Sequence, residues 1–494
     1  MRVDGVRSDE RRPGLNAAQR RVFGFRHLAW LVLGIALLRG LLIVASDPML
    51  AIANNYDQIR VQACLGAYPD RDSSIPPAAS SPQAPYARFR FMPEVDVPCF
   101  LTSELLFAWA AWPAMQVEQR LRADHSFSVR WKGGLQFVAW LGLAVLCTRR
   151  LIGLNRPDLA LGHAVLCAAV VADPGNILYL NTFYGEASAI LFTYALLAGI
   201  VIALAGQTGQ ALLAGIALAA FLLAMSKIQH LVVPLLIWLA VACAGIAARK
   251  QPGALLVALA IGALLGVVAQ GTHMGSIGNE SIRSANRVDT LFTAMLPNAS
   301  KPASLLAELG LPQQCIEQSG KSWYAPGMAS RQLCPQVFTL QHRDLLLAAI
   351  RDPAMAFRAL YGGVEYANQW IPANLGVVEG EPDAGLPWWA PSWDSLIPTL
   401  GRTAYFSMLA VLPVLALVLL FRRRRRDQLA ANAILLSLSS LPAIVYATSV
   451  FGDGYVDLPK HTQLGTACLL AALAVIVCLA VARIVLTGTL DADR

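Results

Sequence analysis

An apolar run ends in five consecutive arginines in the stretch Val411-Leu-Pro-Val-Leu-Ala-Leu-Val-Leu-Leu-Phe-Arg-Arg-Arg-Arg-Arg426. A second apolar run follows from about residue 429, in a chain of 494 residues whose hydrophobic content is 56%. Lys and Arg are retained on the cytoplasmic side of short membrane loops. The arginine run therefore places this connection in the cytoplasm and orients the other membrane-spanning segments.

Apolar segments of roughly 17 to 25 residues, long enough to cross a bilayer, occur ten times. They lie at about 28–46, 133–148, 159–175, 187–204, 210–225, 231–247, 253–270, 402–421, 429–450 and 464–486. Three further basic clusters, Arg2 to Arg26, Arg149 to Arg156 and Arg249 with Lys250, fall on the same side as the arginine run. The predicted fold class is an all-α polytopic membrane protein with about ten transmembrane helices and both termini in the cytoplasm.

These spans divide the chain into modules. A basic N-terminus (1–27) precedes a seven-span module (28–270), and a three-span module (402–486) precedes a short cytoplasmic tail (487–494). Two large segments, 47–132 and 271–401, are predicted on the periplasmic side. The basic region runs to Arg26 and no small-residue cleavage site clearly follows the apolar stretch, so we expect the first span to be retained.

Residues 99–117 are apolar enough to be an eleventh span. Counting them would move either the first arginine cluster or all the later ones to the outside. We therefore predict a helix that lies in the outer interface, where Trp109 and Trp112 sit at headgroup level. Glu104 and Pro113 also suit an interface better than a hydrocarbon core.

The outer segments contain further patterned features. Helical spacing over 344–352 and 355–361 predicts two short helices separated by Pro353. Four cysteines lie outside the spans, and an oxidising compartment would allow one disulfide in each outer segment, Cys64 with Cys99 and Cys315 with Cys334.

Most of the formal charge of +8 comes from the arginine clusters that are predicted on the cytoplasmic side. Topology explains this excess, so no nucleic-acid partner is implied. Membrane lipids are the expected surroundings.

A polar cluster, Ala53-Asn-Asn-Tyr-Asp-Gln-Ile-Arg60, follows the first span and contains Asn54, Asn55, Asp57 and Arg60. A carboxylate at a membrane surface can accept the proton of an attacking sugar hydroxyl. Asp57 can instead cap the following helix or pair with Arg60. Both interpretations stay open.

A second cluster lies at the outer junction of the third and fourth spans and contains Asn181, Tyr184 and Glu186. Polar groups at this depth are costly unless they are paired or functional. Glu186 is a candidate to form a carboxylate pair with Asp57, one group as base and the other orienting the acceptor or binding a cation.

Two more clusters supply basic and hydrogen-bonding groups at headgroup depth. Lys227 and His230 end the fifth span, and Lys460 and His461 link the last two. Such groups suit a lipid phosphate, although snorkelling and capping are alternatives. Arg39, inside the first span, is assigned a structural role.

The arrangement resembles the GT-C glycosyltransferases, and the motifs Asn54-Asn-Tyr-Asp57, Asn181-Thr-Phe-Tyr-Gly-Glu186 and Ser226-Lys-Ile-Gln229 are similar to those of bacterial WsfD-like hexosyltransferases of surface-glycan assembly. The resemblance implies an inverting enzyme of the bacterial inner membrane that takes a sugar from a polyprenyl-phosphate donor and transfers it to a glycan or lipid-linked acceptor. Asp57 would be the catalytic or the acceptor-orienting carboxylate.

The basic residues would hold the departing phosphate. No Asp-Asp or Glu-Asp dyad stands beside Asp57. The nearest acidic pairs in that segment, Asp70 with Asp72 and Glu94 with Asp96, are weak metal candidates with solvated loop charges as the alternative. A divalent cation is possible, metal dependence stays open, and the metal ligands are unknown. An O-antigen polymerase or ligase and a lipid-linked glycan flippase or transporter remain the alternatives.

Overall fold

The computed structural model describes residues 17–53, 56–76, 85–95, 97–250, 252–276, 280–372, 376–381, 384–422 and 429–492. It gives no side-chain account of residues 17–23, 53, 56, 57, 60, 274–276, 280, 281 and 481–492. The arginine run beyond Arg422 lies outside the described residues.

The described chain is mainly helical. Its α-helices are α1 (Ala17–Val44), α2 (Tyr56–Ala63), α3 (Leu105–Leu121), α4 (Arg130–Gly153), α5 (Pro157–Leu166), α6 (Pro174–Ile177), α7 (Gly185–Leu204), α8 (Gln210–Ala224), α9 (Val233–Ala247), α10 (Gly253–Ser276), α11 (Glu280–Asp289), α12 (Pro302–Glu308), α13 (His342–Arg351), α14 (Pro353–Ala367), α15 (Gly401–Arg422), α16 (Leu429–Asp453) and α17 (Leu458–Ala492). The short strands are β1 (Leu50–Ala53), β2 (Ala67–Pro69), β3 (Arg88–Phe91), β4 (Phe127–Ser128) and β5 (Gly376–Val378).

Eight helices among the described residues are long and apolar enough to cross a membrane. Pro157–Val171 and Pro174–Asn181 form a ninth span if this pair, bent by 69°, is counted as one. The remaining predicted segment is α8, a shorter apolar helix that packs against α7 and α10. These observations confirm an all-α polytopic membrane protein, in which the third predicted span is bent and the fifth is short.

The bend in the ninth span has a local cause. A π-helix, Cys167–Val171, ends α5, and Pro174 then begins α6. The Asp173 carboxylate caps α6 by accepting a hydrogen bond from Gly175 N at 3.0 Å and also pairs with Arg39 at 3.5 Å. The structural role predicted for Arg39 is therefore an ion pair between α1 and this bend.

One face of the bundle collects the functional candidates. It is the face at which α1, α10 and α16 end and α4, α7, α15 and α17 begin, and we call it the site face. Asn181 connects the end of α1 to the start of β1 on this face, because it donates hydrogen bonds to Val44 O and Leu50 O, both at 3.1 Å.

The two large outer segments meet on the site face, since β1 pairs with β5 in an antiparallel sheet. A separate sheet has the strand order β2-β3-β4. Each outer segment contains the disulfide considered from the sequence, Cys64–Cys99 and Cys315–Cys334. Helices α13 and α14 are separated at Pro353, as predicted.

Helix α3 corresponds to the segment predicted in the interface. Glu118, near its end, accepts a hydrogen bond from Trp131 Nε1 at 2.7 Å, at the start of α4. Near its beginning, Phe107 stacks on Phe192 of α7. Trp109 and Trp112 are exposed. The helix thus lies against the site-face ends of α4 and α7, in agreement with an interfacial position.

Candidate functional site

Glu186 and Lys227 form an ion pair at the centre of the site face. Their side-chain oxygen and nitrogen are 2.5 Å apart, and the two side chains are 3% and 17% exposed. Glu186 lies in the first turn of α7, where the helix dipole favours a carboxylate. Gly185 allows the two segments to meet, because a Cβ there would lie 2.7 Å from Ser226 O. The connection between α8 and α9 therefore places Lys227 next to Glu186.

His461 extends this pair into a chain of polar groups. Its Nδ1 lies 3.2 Å from Lys227 Nζ, and Gln229 Nε2 lies 3.1 Å from the same nitrogen. An ammonium group can only donate, so Nδ1 is the acceptor and Nε2 carries the proton of the neutral ring. Nε2 then donates to Asp453 Oδ2 at 2.6 Å. The geometry fixes the tautomer of His461.

Lys460 lies beside the same cluster. It is 3% exposed, and its Nζ donates to Asp457 Oδ2 at 2.9 Å. The ammonium also lies 5.7 Å from the centre of the Tyr184 ring, within the range of a cation–π interaction. Tyr184 and Lys460 are thus held together in a buried position. Lys227 and Lys460, two of the three cations considered for phosphate binding, each have a carboxylate partner.

Two of the predicted site residues have mainly structural contacts. Asn181 is buried and its amide nitrogen bonds to the two backbone carbonyls described above. His230 is also buried, and its Nδ1 lies 3.0 Å from Ser226 Oγ. We assign Asn181 to the junction of α1 and β1, and His230 to the turn that presents Lys227.

The structure describes only part of the segment that contains Asp57, the candidate base. Asn54 and Asn55 are outside the described residues, and the side chains of Asp57 and Arg60 are not described. The backbone is informative, because Asp57 lies in the first turn of α2. The next residue, Gln58, accepts a hydrogen bond from Phe183 N at 3.0 Å. The start of α2 therefore lies against the segment that leads into Glu186.

Several buried polar atoms around this cluster have no hydrogen-bond partner among the described residues. They are Glu186 Oε2, Tyr179 Oη, Gln229 Oε1 and Gln463 Oε1. Buried polar groups normally find a partner in the protein, in water or in a ligand. Carboxylate and amide oxygens without a partner are acceptors for hydroxyl groups, as a sugar would require.

The sequence interpretation missed three carboxylates near this cluster. Asp453 ends α16, Asp457 lies three residues before Lys460, and Asp289 ends α11. Burial of Asp289, together with the nearby charges of Asp453 and Asp457, raises its pKa to about 8. Its Oδ1 accepts a hydrogen bond from Trp323 N at 2.6 Å within the second outer segment. Thr293, four residues further on, accepts a hydrogen bond from Tyr455 N at 2.9 Å and so joins this segment to the α16–α17 turn.

A second buried network supports the site from the side of α3. Glu104 forms an ion pair with Lys132, and both side chains are 0% exposed. Glu104 also accepts hydrogen bonds from Gln136 at 2.9 Å and from Ser188 Oγ at 2.5 Å. Lys132 donates to Thr182 O in the segment before Glu186. A glutamate at the start of an apolar helix was the only sequence signal for this network.

No group of three or more His, Cys, Asp or Glu side chains that could hold a metal ion occurs among the described residues. Of the acidic pairs considered for a cation, Asp70 pairs with Arg90 at 2.7 Å and Asp72 accepts a hydrogen bond from Ser74 N at 2.8 Å. Asp96 lies outside the described residues.

An apolar cavity of about 290 Å³ opens inside the membrane region beneath the site, between α5, α7, α16 and α17. Its lining extends along α17 from Leu464 to Leu479, roughly 22 Å at 1.5 Å per residue. Asn176 lines its upper part and accepts a hydrogen bond from Gln463 Nε2 at 3.1 Å. Because Gln463 is two residues from His461, the cavity ends close to the polar cluster.

A comparison with protein families matches residues 27–338 to the model of the YfdI N-terminal transmembrane domain, which is more than half of the chain. The matched stretch contains Glu186 and Lys227 but ends before Asp453 and His461. No curated protein and no solved structure matches the chain.

Proposed function

The chain belongs to the YfdI N-terminal transmembrane domain family, and on this scaffold we propose an integral-membrane glycosyltransferase. It moves a sugar from a polyprenyl-phosphate-linked donor to a surface glycan or lipid-linked acceptor. The site face lies on the periplasmic side of a bacterial inner membrane, with both termini in the cytoplasm. The architectural resemblance to GT-C enzymes supports this assignment.

One observation carries the proposal. The segment that leads into Glu186 contacts both the start of α2, through Gln58 and Phe183, and the Lys227 turn. Residues 57, 186 and 227 therefore share one region, although they come from separate parts of the chain. This is the juxtaposition that transfer between a hydroxyl and a phosphate-linked sugar requires, since a base and a cation must act on one substrate.

The proposed reaction is a single displacement at the anomeric carbon of the donor. Asp57 accepts the proton of the acceptor hydroxyl while its oxygen bonds to the anomeric carbon, and the bond from that carbon to the phosphate oxygen breaks. The configuration inverts. The polyprenyl phosphate leaves as an anion, so stabilisation of negative charge replaces a strong general acid.

The proposed roles of the other site residues follow from their charges. Lys227, Lys460 and Arg60 stabilise the phosphate, and Glu186 holds Lys227 while its second oxygen accepts a hydrogen bond from a sugar hydroxyl. His461, fixed by Asp453, keeps the Lys227 ammonium oriented. We assign sugar binding to Tyr184 and, from their place beside Asp57 in the sequence, to Asn54 and Asn55.

The membrane cavity supports a lipid-linked donor. Its apolar lining extends through much of the hydrocarbon layer, which is about 30 Å thick, and it ends near the polar cluster. A polyprenyl chain in this cavity would place its phosphate at the level of Lys460 and Lys227.

Transfer from a radiolabelled polyprenyl-phosphate sugar tests the function. We expect the purified protein in lipid nanodiscs to transfer label to a glycan acceptor. Glu186→Gln and Asp57→Asn should lose at least about a hundredfold in rate, the range for a lost catalytic group, without loss of membrane yield. Glu308→Gln, which changes an exposed carboxylate paired with Arg351, is the matched control.

Near wild-type activity of Asp57→Asn would remove the assigned base. The alternatives give different products in the same assay. A polymerase or ligase would join preassembled lipid-linked glycans and leave the single sugar untouched, and a flippase would move the labelled lipid without forming a new glycosidic bond.

A further inference from the structure

The hairpin of α13 and α14 exposes a concentrated apolar surface. Leu346, Leu347, Ile350 and Phe357 are 52%, 45%, 65% and 56% exposed. The first three share one helical face, because Ile350 follows Leu347 by three residues and Leu346 by four. Large contiguous apolar patches on exposed surfaces mark protein or membrane interaction sites, so these four residues, here called the hairpin patch, require an occupant.

Contacts with α15 fix the direction in which α14 runs. Asn368 donates to Pro398 O before α15 begins, and Tyr361 Oη lies 3.0 Å from Thr403 Oγ1. Phe357 then packs edge-on against Phe406, with ring centres 5.4 Å apart. The two helices therefore run in opposite directions. Residues nearer the beginning of α14 contact residues of α15 that lie deeper in the membrane. The α13–α14 corner is therefore directed into the bilayer.

Contacts with α16 give the depth. Tyr446 Oη donates to Leu360 O in the middle of α14. Tyr446 lies seven residues before Asp453, where α16 ends, a distance of about 10 Å along a helix. Interfacial helices bury their apolar faces about 5 to 10 Å into a membrane. Tyr455 of the α16–α17 turn donates to the neighbouring Ala359 O at 2.6 Å, so the middle of α14 lies between the level of this turn and about 10 Å below the end of α16.

The hairpin patch continues the lipid-facing surface of α15. Val411, Val414 and Leu415 of this spanning helix are exposed, and the Phe357–Phe406 contact joins that surface to the hairpin. Arg343, near the start of α13, is 75% exposed. Long basic side chains of this kind reach from an apolar surface to lipid phosphates.

We propose that the α13–α14 hairpin is inserted into the leaflet on the site face and that the hairpin patch contacts lipid acyl chains. The second outer segment is then anchored to the bilayer in its middle as well as at its two ends. This anchor holds the segment that carries Asp289 against the α16–α17 turn. The proposal does not depend on transferase activity.

Photo-crosslinking in nanodiscs of phosphatidylethanolamine and phosphatidylglycerol tests it. Benzoylphenylalanine replaces Ile350 or Phe357 in the full chain, and adducts are identified by mass spectrometry. Val414, 60% exposed on α15, is the lipid-contact control, and Tyr324, 65% exposed in the same outer segment, is the control outside the hairpin. We expect lipid adducts at Ile350 and Phe357 within about twofold of the Val414 yield, as for acyl-chain contact, and much lower yields at Tyr324.

Lipid yields at Ile350 and Phe357 no higher than at Tyr324 would overturn the proposal. Cross-links between two copies of the chain in place of lipid adducts would also overturn it, because a second copy would then cover the patch. Each variant is first checked for a monodisperse elution profile, and Leu347 replaces any position whose variant fails to fold.

Discussion

The buried Glu104–Lys132 pair allows a quantitative test of how the site is supported. Lys132→Met keeps much of the side-chain volume but leaves the Glu104 carboxylate 0% exposed without its cation. Breaking a buried ion pair by removing one partner costs about 3 to 5 kcal/mol. Gln136 and Ser188 still donate to Glu104, so we expect a loss near the lower limit, about 3 kcal/mol.

Removal of the carboxylate in place of the ammonium should lower the free energy of unfolding by at least as much. In Glu104→Gln the ammonium of Lys132 stays buried, with Thr182 O as its remaining described hydrogen-bond acceptor. We expect about 3 to 5 kcal/mol for this variant. The double variant carries neither charge and should lie within about 2 kcal/mol of the wild type, since replacing a whole buried pair is often nearly neutral. The single losses together exceed the loss of the double variant by about 4 kcal/mol or more, which is the expected coupling energy.

The assay is reversible unfolding in mixed micelles of dodecyl maltoside and SDS, followed by circular dichroism. Arg122 and Asp124 form a control pair in the same outer segment, 2.9 Å apart and 43% and 39% exposed. Its cycle should give at most about 1 kcal/mol, as exposed pairs do. A Glu104–Lys132 coupling no larger than that of the control pair would refute the argument that burial makes this pair a structural support.

Two further predictions concern protonation and the donor phosphate. Asp289 has a folded pKa of about 8, above the ordinary 3.8, so its protonated form favours folding and stability should fall as pH rises between these values. Asp289→Asn should flatten that part of the melting-temperature profile, and an unchanged slope would exclude Asp289 as its source. Lys460→Met should raise the KM for the lipid donor and have a smaller effect on thermal stability. An unchanged KM would limit Lys460 to a structural role.

The sequence predicted the features that depend on local composition. Each spanning helix is a single stretch whose apolar length is sufficient on its own, so the ranges drawn for α1, α4, α7 and α15 agree closely with the structure. Pro353 gave the α13–α14 boundary, because proline cannot continue the preceding helix. The bend after α5 was not predicted, since a π-helix leaves no clear pattern in one sequence.

The candidate site was predicted only in its parts. Glu186, Lys227, Lys460 and His461 were selected because charged groups at membrane depth are costly, and all four lie in one cluster. Oε1 of Glu186 bonds to Lys227, which the sequence did not predict, and the pairing of Glu186 with Asp57 stays a prediction.

The sequence by itself determined that this protein is a polytopic membrane protein, because the cost of burying polar backbone and charge in lipid is decided segment by segment. Only the tertiary structure decided which polar groups meet. Lys227 bonds to Glu186, 41 residues away, and to His461, 234 residues away. Such pairings depend on how the helices pack and on which helix ends approach each other, as at Gly185 and Ser226. No local sequence pattern encodes that geometry.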